Sequence, residues 1–222
     1  MIPNNDNETR KQKMYYFLQK EFSAFKRKYT NEPYFSHLED VAEKCAFHDI
    51  KLGYEIGLAH DLFEDTKMTP HEFIEIICGF GYERPEAEFI SNVCLELTNE
   101  YSHEKYPKLN RKERTDMEAF RLANVSPIAQ SVKCCDIMSN CSDIVDKDYG
   151  FATHYLVEKE NVVSKMKNIN EFIQLRVESV LTKGLVELEG RKVLPRTSIL
   201  YNRWNKKMNS KEKIDSKNES YT

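Results

Sequence analysis

The chain has 222 residues, enough for one substantial domain with a buried core. Its 33 Lys and Arg face 36 Asp and Glu, and the resulting charge of -3 offers no general basic field for DNA or RNA. No apolar run reaches the roughly 18 residues of a membrane span and residues 1–10 lack the apolar core of a signal peptide, so a cytosolic setting is expected.

With only 7 Gly and 7 Pro among abundant Glu, Lys, Leu and Ala, propensity favours helix throughout and an all-α domain is expected. The first helix is predicted over 14–29, with Tyr15, Phe17, Leu18, Phe22 and Phe25 on its apolar face. A loop with Asn31 and Pro33 leads to a second helix over 37–47 and a third over 52–63. Thr69-Pro70, an N-cap followed by proline in the first turn, opens a helix that stops near Gly79 and Gly81. The next is read over 85–97, and a polar loop over 101–109 precedes a helix from Asn110 or Arg111 to Ala123. Ser126-Pro127 repeats the cap-plus-proline device for a helix to about Val145, and 149–181 reads as one long helix. A short helix is expected over 197–204. The expected organisation is a flexible 1–13, the helical domain over 14–183, an extension over 184–208 packing on it, and a disordered polar tail over 209–222. The six cysteines show no zinc-binding spacing and read as reduced, buried small hydrophobes.

Chemistry concentrates at His37, His60-Asp61 and Asp136, which fall on three separate predicted helices. Converging helices can aim such groups at one point, and two imidazoles with two carboxylates suit an octahedral Mn²⁺, Fe²⁺ or Mg²⁺ better than a structural zinc. One turn beyond, Glu64 and Asp65 could present carboxylates to an attacking water. Asp136 lies in an apolar stretch and requires a partner; Lys133, across one helical turn, is the competing explanation for it. His48-Asp49 is the same dipeptide as His60-Asp61 but sits in a turn and reads as surface.

Three ordered segments carry a resemblance. Tyr34-Phe35-Ser36-His37, Gly57-Leu58-Ala59-His60-Asp61-Leu62-Phe63-Glu64-Asp65-Thr66 and Val132-Lys133-Cys134-Cys135-Asp136-Ile137-Met138-Ser139-Asn140 resemble the HD-domain phosphohydrolases. Within them the chain looks most like the RelA/SpoT-type hydrolase domain and the stand-alone small alarmone hydrolases. The resemblance implies a single-domain HD helical bundle with its metal site between helices. It implies His37, His60, Asp61 and Asp136 as ligands of a Mn²⁺-like ion, and Glu64 and Asp65 as the acidic pair that activates water. Arg27 and Lys28 match a basic pair for base and phosphate contacts, and Asn140 an asparagine beside the nucleotide. The sequence departs from the pattern at Ser36 and Leu38, where Asn and Pro are common, at Cys134-Cys135, where Leu-Ala is usual, and at Ser142, where an arginine is frequent.

The function that the resemblance implies is a metal-dependent nucleotide phosphohydrolase acting like a guanosine-3′,5′-bis(diphosphate) 3′-pyrophosphohydrolase. An HD-domain nucleotidase or dNTP hydrolase is the enzymatic alternative, and a non-catalytic nucleotide-binding module the alternative of another class. The expected partner is a small nucleotide, not a membrane. The lysine-rich tail, without interleaved aromatics, argues against nucleic acid, and homo-oligomerisation stays open.

Overall fold

A computed structural model describes residues 9–28, 31–141 and 144–190; among these there is no strand, only an isolated bridge between Lys26 and Pro33. The expectations for 1–8, for the helix over 197–204 and for the tail over 209–222 lie outside the described residues.

Helix α1 (Arg10–Glu21) begins earlier than its apolar pattern because Thr9 caps it in a reciprocal box with Gln12. Arg10 then grips Glu86 through two hydrogen bonds of 2.6 and 3.0 Å. Residues 10–13, expected to be flexible, are thus part of the helix. α1 also stops short of the predicted 29. The backbone turns at Phe22, and Arg27 N–H donates to the Glu32 carbonyl while Tyr34 N–H donates to that of Phe25. These bonds within a tight loop replace helical ones and carry Arg27 and Tyr34 to the foot of α2 (Phe35–Phe47).

α2 packs closely on α3 (Gly53–Ala59), and Gly57 makes this possible. A Cβ at Gly57 would sit 2.7 Å from the Ala42 Cα and 2.8 Å from its nitrogen, so the two backbones nearly touch there. The predicted third helix is interrupted. His60 and Asp61 form a turn, and α4 (Leu62–Asp65) resumes beyond it. Asp61 adopts φ -99° and ψ 4°, a bridge conformation outside the helical basin.

α5 (Pro70–Gly79), α6 (Arg84–Leu97) and α7 (Arg111–Leu122) follow the predicted limits closely. Thr69 with Glu72 and Asn110 with Glu113 close capping boxes at the first and last of these. α8 (Pro127–Cys141) is the central helix, with Ala129, Val132, Cys134, Cys135, Ile137 and Met138 buried around it. α2, α3, α6, α10 and α11 all pack against it.

α9 (Ile144–Lys147) is a single turn, and the predicted long helix divides into α10 (Tyr149–Val163) and α11 (Glu171–Gly190). One rod over 149–181 would extend about 50 Å and could not keep its whole apolar face on one small core. The chain folds back instead through an Asn-containing turn, where Asn168 N–H meets Gln130 and Asn170 accepts from Phe172 N–H. α11 continues past the predicted domain limit of 183, with Gly184, Leu185 and Leu188 still buried. Cys45, Cys94, Cys134, Cys135 and Cys141 are buried free thiols and Cys78 is half-buried, as expected of small hydrophobes. No helix among the described residues is long and apolar enough to cross a membrane.

Candidate metal centre and cleft

His37 projects from the first turn of α2, His60 and Asp61 from the α3–α4 turn, and Asp136 from the middle of α8. In a continuous helix neighbouring side chains diverge by about 100°. The turn removes that divergence, and His60 Nε2 lies 3.0 Å from Asp61 Oδ2. Ligand atoms of His37, His60 and Asp61 all fall within 4.8 Å of one another. Asp136 completes the group, its Oδ1 lying 3.2 Å from His37 Nε2 and 3.8 Å from His60 Nε2.

Each imidazole is oriented from behind. His60 Nδ1–H donates to the Gly57 carbonyl at 2.7 Å, and His37 Nδ1 pairs with the Ser139 hydroxyl at 2.9 Å. Such anchoring aims both Nε2 atoms into the cluster, as in metal-ligating histidines. Among the described residues His60 Nε2 is buried and faces only the carboxylates of Asp61 and Asp136, at 3.0 and 3.8 Å. Two imidazole nitrogens gathered with two carboxylates in a buried cluster make a donor set that a divalent cation fits. Two imidazole nitrogens and two carboxylate oxygens fit Mn²⁺, Fe²⁺ or Mg²⁺.

Lys133 also takes the place foreseen for it, with Nζ 2.7 Å from Asp136 Oδ2. It accounts for that oxygen alone. Oδ1 turns toward the histidines and accepts from Asn140 Nδ2 at 2.5 Å. Burial disfavours the Asp136 charge, but Lys133 and the histidines outweigh it and hold its carboxyl well below the usual range. Burial likewise opposes charge on His60 and Asp61, yet their mutual attraction prevails. His60 is held up at about 9, with help from Asp136, and Asp61 down at about 2.

A cleft of about 420 Å³ opens above the cluster, with Asp61, Glu64, Lys133, Asp136 and Asn140 on its floor. That size suits a nucleotide. Glu64 accepts the Asn99 N–H at 2.9 Å. Asp65, unlike Glu64, is exposed and does not line the cleft; its carboxyl is pushed up to about 6 by desolvation and then by the charges of Asp61 and Glu64. Arg27 reaches the same region, its Nη2 donating to Asn140 Oδ1 at 3.2 Å. Lys28 is exposed and does not line the cleft, unlike Asn140.

The sequence reading assigned no role to Tyr34, Arg114 or Lys159, all of which line the cleft. Tyr34 donates to Asp61 Oδ2 at 2.6 Å. Its place three residues before His37 was the one available signal. Arg114 and Lys159 fall in Asn110-Arg111-Lys112-Glu113-Arg114 and Phe151-Ala152-Thr153-His154-Tyr155-Leu156-Val157-Glu158-Lys159, two further stretches of the resemblance that carried no assigned role.

The described residues form an all-α bundle, and its fold is shared with solved hydrolase structures. Among the solved structures to which the chain is similar is a metazoan ortholog of SpoT, described as hydrolysing ppGpp and playing a role in starvation responses. The two are 16% identical with a TM-score of 0.64, and the match covers 84% of this chain and 98% of that one. No family model matches the chain, and no curated protein matches it in sequence.

Proposed function

We propose that the chain is a metal-dependent nucleotide phosphohydrolase that removes a 3′-pyrophosphate, acting on guanosine-3′,5′-bis(diphosphate) or a close relative. The observation that carries this is the convergence of His37, His60, Asp61 and Asp136 below an open cleft, with both Nε2 atoms turned onto the two carboxylates. The fold shared with a ppGpp-hydrolysing SpoT ortholog supports it.

On this reading the four side chains hold one divalent ion, Mn²⁺ first, with Fe²⁺ or Mg²⁺ as alternatives. When bound, the ion supplies Lewis acidity, which lowers the pKa of water and offsets charge on phosphoryl oxygens. Asp65, titrating at about 6, takes the proton of the water that attacks the 3′ phosphorus, and Glu64 orients that water. The bond between that phosphorus and the nucleoside 3′-oxygen breaks, and the 3′-oxygen takes up a proton from solvent, giving pyrophosphate and a nucleotide with a free 3′-hydroxyl and its 5′ phosphates intact. Asn140 and Arg27, already bonded to each other, position the nucleotide. The partner is a small nucleotide, and the setting is a cytosol.

The test combines metal analysis with a nucleotide panel read by product chromatography. Protein loaded with Mn²⁺ is expected to convert guanosine-3′,5′-bis(diphosphate) to pyrophosphate and guanosine 5′-diphosphate. Asp136→Ala should lose the ion and more than about 100-fold in turnover, beyond the 10–100-fold typical of removing a ligand's supporting partner. Hydrolysis of dNTPs alone would replace the substrate. Wild-type protein that takes up no metal and hydrolyses nothing would leave a nucleotide-binding module.

A further inference from the structure

A second pocket lies apart from the metal cleft and shares none of the described residues that line it. Its volume is about 370 Å³, and it sits where α1, the end of α2 and the start of α3 meet. Ile50, Leu52 and the half-buried ring of Tyr54 give it apolar walls. Charges of both signs enter the same small space, Lys11 from α1 and Glu55 from the first turn of α3.

Glu55 is poorly compensated for a buried carboxylate. Its side chain is only 2% exposed. Oε1 accepts from the Tyr82 hydroxyl at 3.2 Å, and Lys11 Nζ stands 3.7 Å from the same oxygen, too far for a hydrogen bond. Oε2 has no partner among the described residues. Burial and the adjacent Glu55 charge raise the Tyr82 hydroxyl well above the usual phenol range, so it stays a donor. Arg10, the other cation at the pocket, is bound to Glu86. A buried carboxylate with one neutral hydrogen bond keeps much of its desolvation cost, and an incoming cationic group offsets it. Lys11 does not fill that place, because its side chain stays 57% exposed with the ammonium 5.4 Å from the centre of the Tyr54 ring.

A ligand with positive charge alone would meet Lys11, and one with negative charge alone would meet Glu55 and Asp49. A short molecule bearing both signs satisfies both sides. We infer that this pocket binds a small zwitterion with an aromatic body, of the α-amino-acid class. Its ammonium takes Oε2 of Glu55, and its carboxylate takes the Lys11 ammonium, which a flexible stem lets swing into place. Such a molecule carries its two charges on neighbouring carbons, which suits the close approach of Lys11 to Glu55. Its ring lies on Tyr54 between Ile50 and Leu52, in a pocket at the small end of the range for ligand sites. This site is separate from the metal cluster and does not depend on what the cleft hydrolyses.

Calorimetry on the full chain with L-phenylalanine, phenethylamine and 3-phenylpropionate tests this, since the second lacks the carboxylate and the third the ammonium. L-Phenylalanine should bind with Kd below about 1 mM, and each one-charge analogue at least about 10-fold more weakly, as loss of a charge-assisted contact requires. Glycine, which has no apolar body to bury, should also bind at least about 10-fold more weakly. Glu55→Gln and Lys11→Gln should each weaken L-phenylalanine by about 10-fold or more. Lys11→Arg should restore most of the affinity, and Lys183→Gln, a lysine outside the pocket, should not alter it. If Glu55→Gln does not fold, Lys11→Gln, at an exposed side chain, carries the same expectation. A wild type that binds no L-phenylalanine at about 10 mM, or binds phenethylamine as tightly, overturns the site. Unchanged affinity in the folded variants overturns it as well.

Discussion

The carboxyl of Asp65 titrates at about 6 because desolvation and the charges of Asp61 and Glu64 disfavour its ionised form. A carboxyl raised in the folded state binds its proton more tightly there than in the unfolded chain. Its contribution therefore destabilises the fold as pH rises from about 3.9, the unfolded value, through about 6, and is absent below that window. Asp65→Asn removes the repulsion. Thermal unfolding of the metal-free variant should show a gain of roughly 1 kcal/mol near neutral pH, discounted for solvent screening, and none near pH 4. Turnover should fall in the same variant. The wild-type rate should decline in acid as Asp65 is protonated, and this limb should be missing from any residual activity of Asp65→Asn. A variant less stable than wild type at neutral pH would contradict the account of this carboxyl.

The α3–α4 turn depends on the helix before it. Gly57 lets α3 approach the α2 backbone, and its carbonyl holds the His60 ring. Gly57→Ala would set a methyl group against backbone atoms of Ala42 and Val41, which cannot swing aside as a side-chain tip can. Chemical denaturation should show a loss of about 2–3 kcal/mol, and metal affinity should fall as His60 shifts. A well-folded Gly57→Ala protein with unchanged ion affinity would refute this coupling.

Helix starts were legible where their chemistry is local. Thr69-Pro70 and Asn110 hold their caps within four residues of sequence, and the structure keeps both. The turn at His60-Asp61, the loop after α1 and the α10–α11 reversal contain no proline or glycine at the break itself. Each is set by what the chain meets in three dimensions, so apolar periodicity reads through them. The same division holds at the site. His37, His60, Asp61 and Asp136 stood out by residue type and order, whereas Arg114 and Lys159 gain meaning only once α7 and α10 face one cavity.

At the scale of the whole molecule, the cluster joins parts of the chain far apart in sequence, since α2, the α3–α4 turn and α8 each supply part of it. An ion bound there should link these segments and stabilise the fold by mass action, by about 2.7 kcal/mol at one hundred times its dissociation constant. For a domain of this size that corresponds to roughly 5–10 °C in Tm. Calorimetry with increasing Mn²⁺ should show the rise in wild type and none in Asp136→Ala. A Tm indifferent to Mn²⁺, Fe²⁺ and Mg²⁺ would argue that these side chains hold no ion.

Because Lys133 already sits 2.7 Å from Asp136, that carboxylate keeps a counterion whatever else the cluster holds. A chelator should therefore strip the protein without collapsing it, in contrast to zinc fingers, which unfold when emptied. Folding and metallation would then be separable events, and an ion held there could be exchanged after synthesis. Which cation the mature protein carries would then follow the supply around it, so the same polypeptide recovered from different growth media should carry different metals.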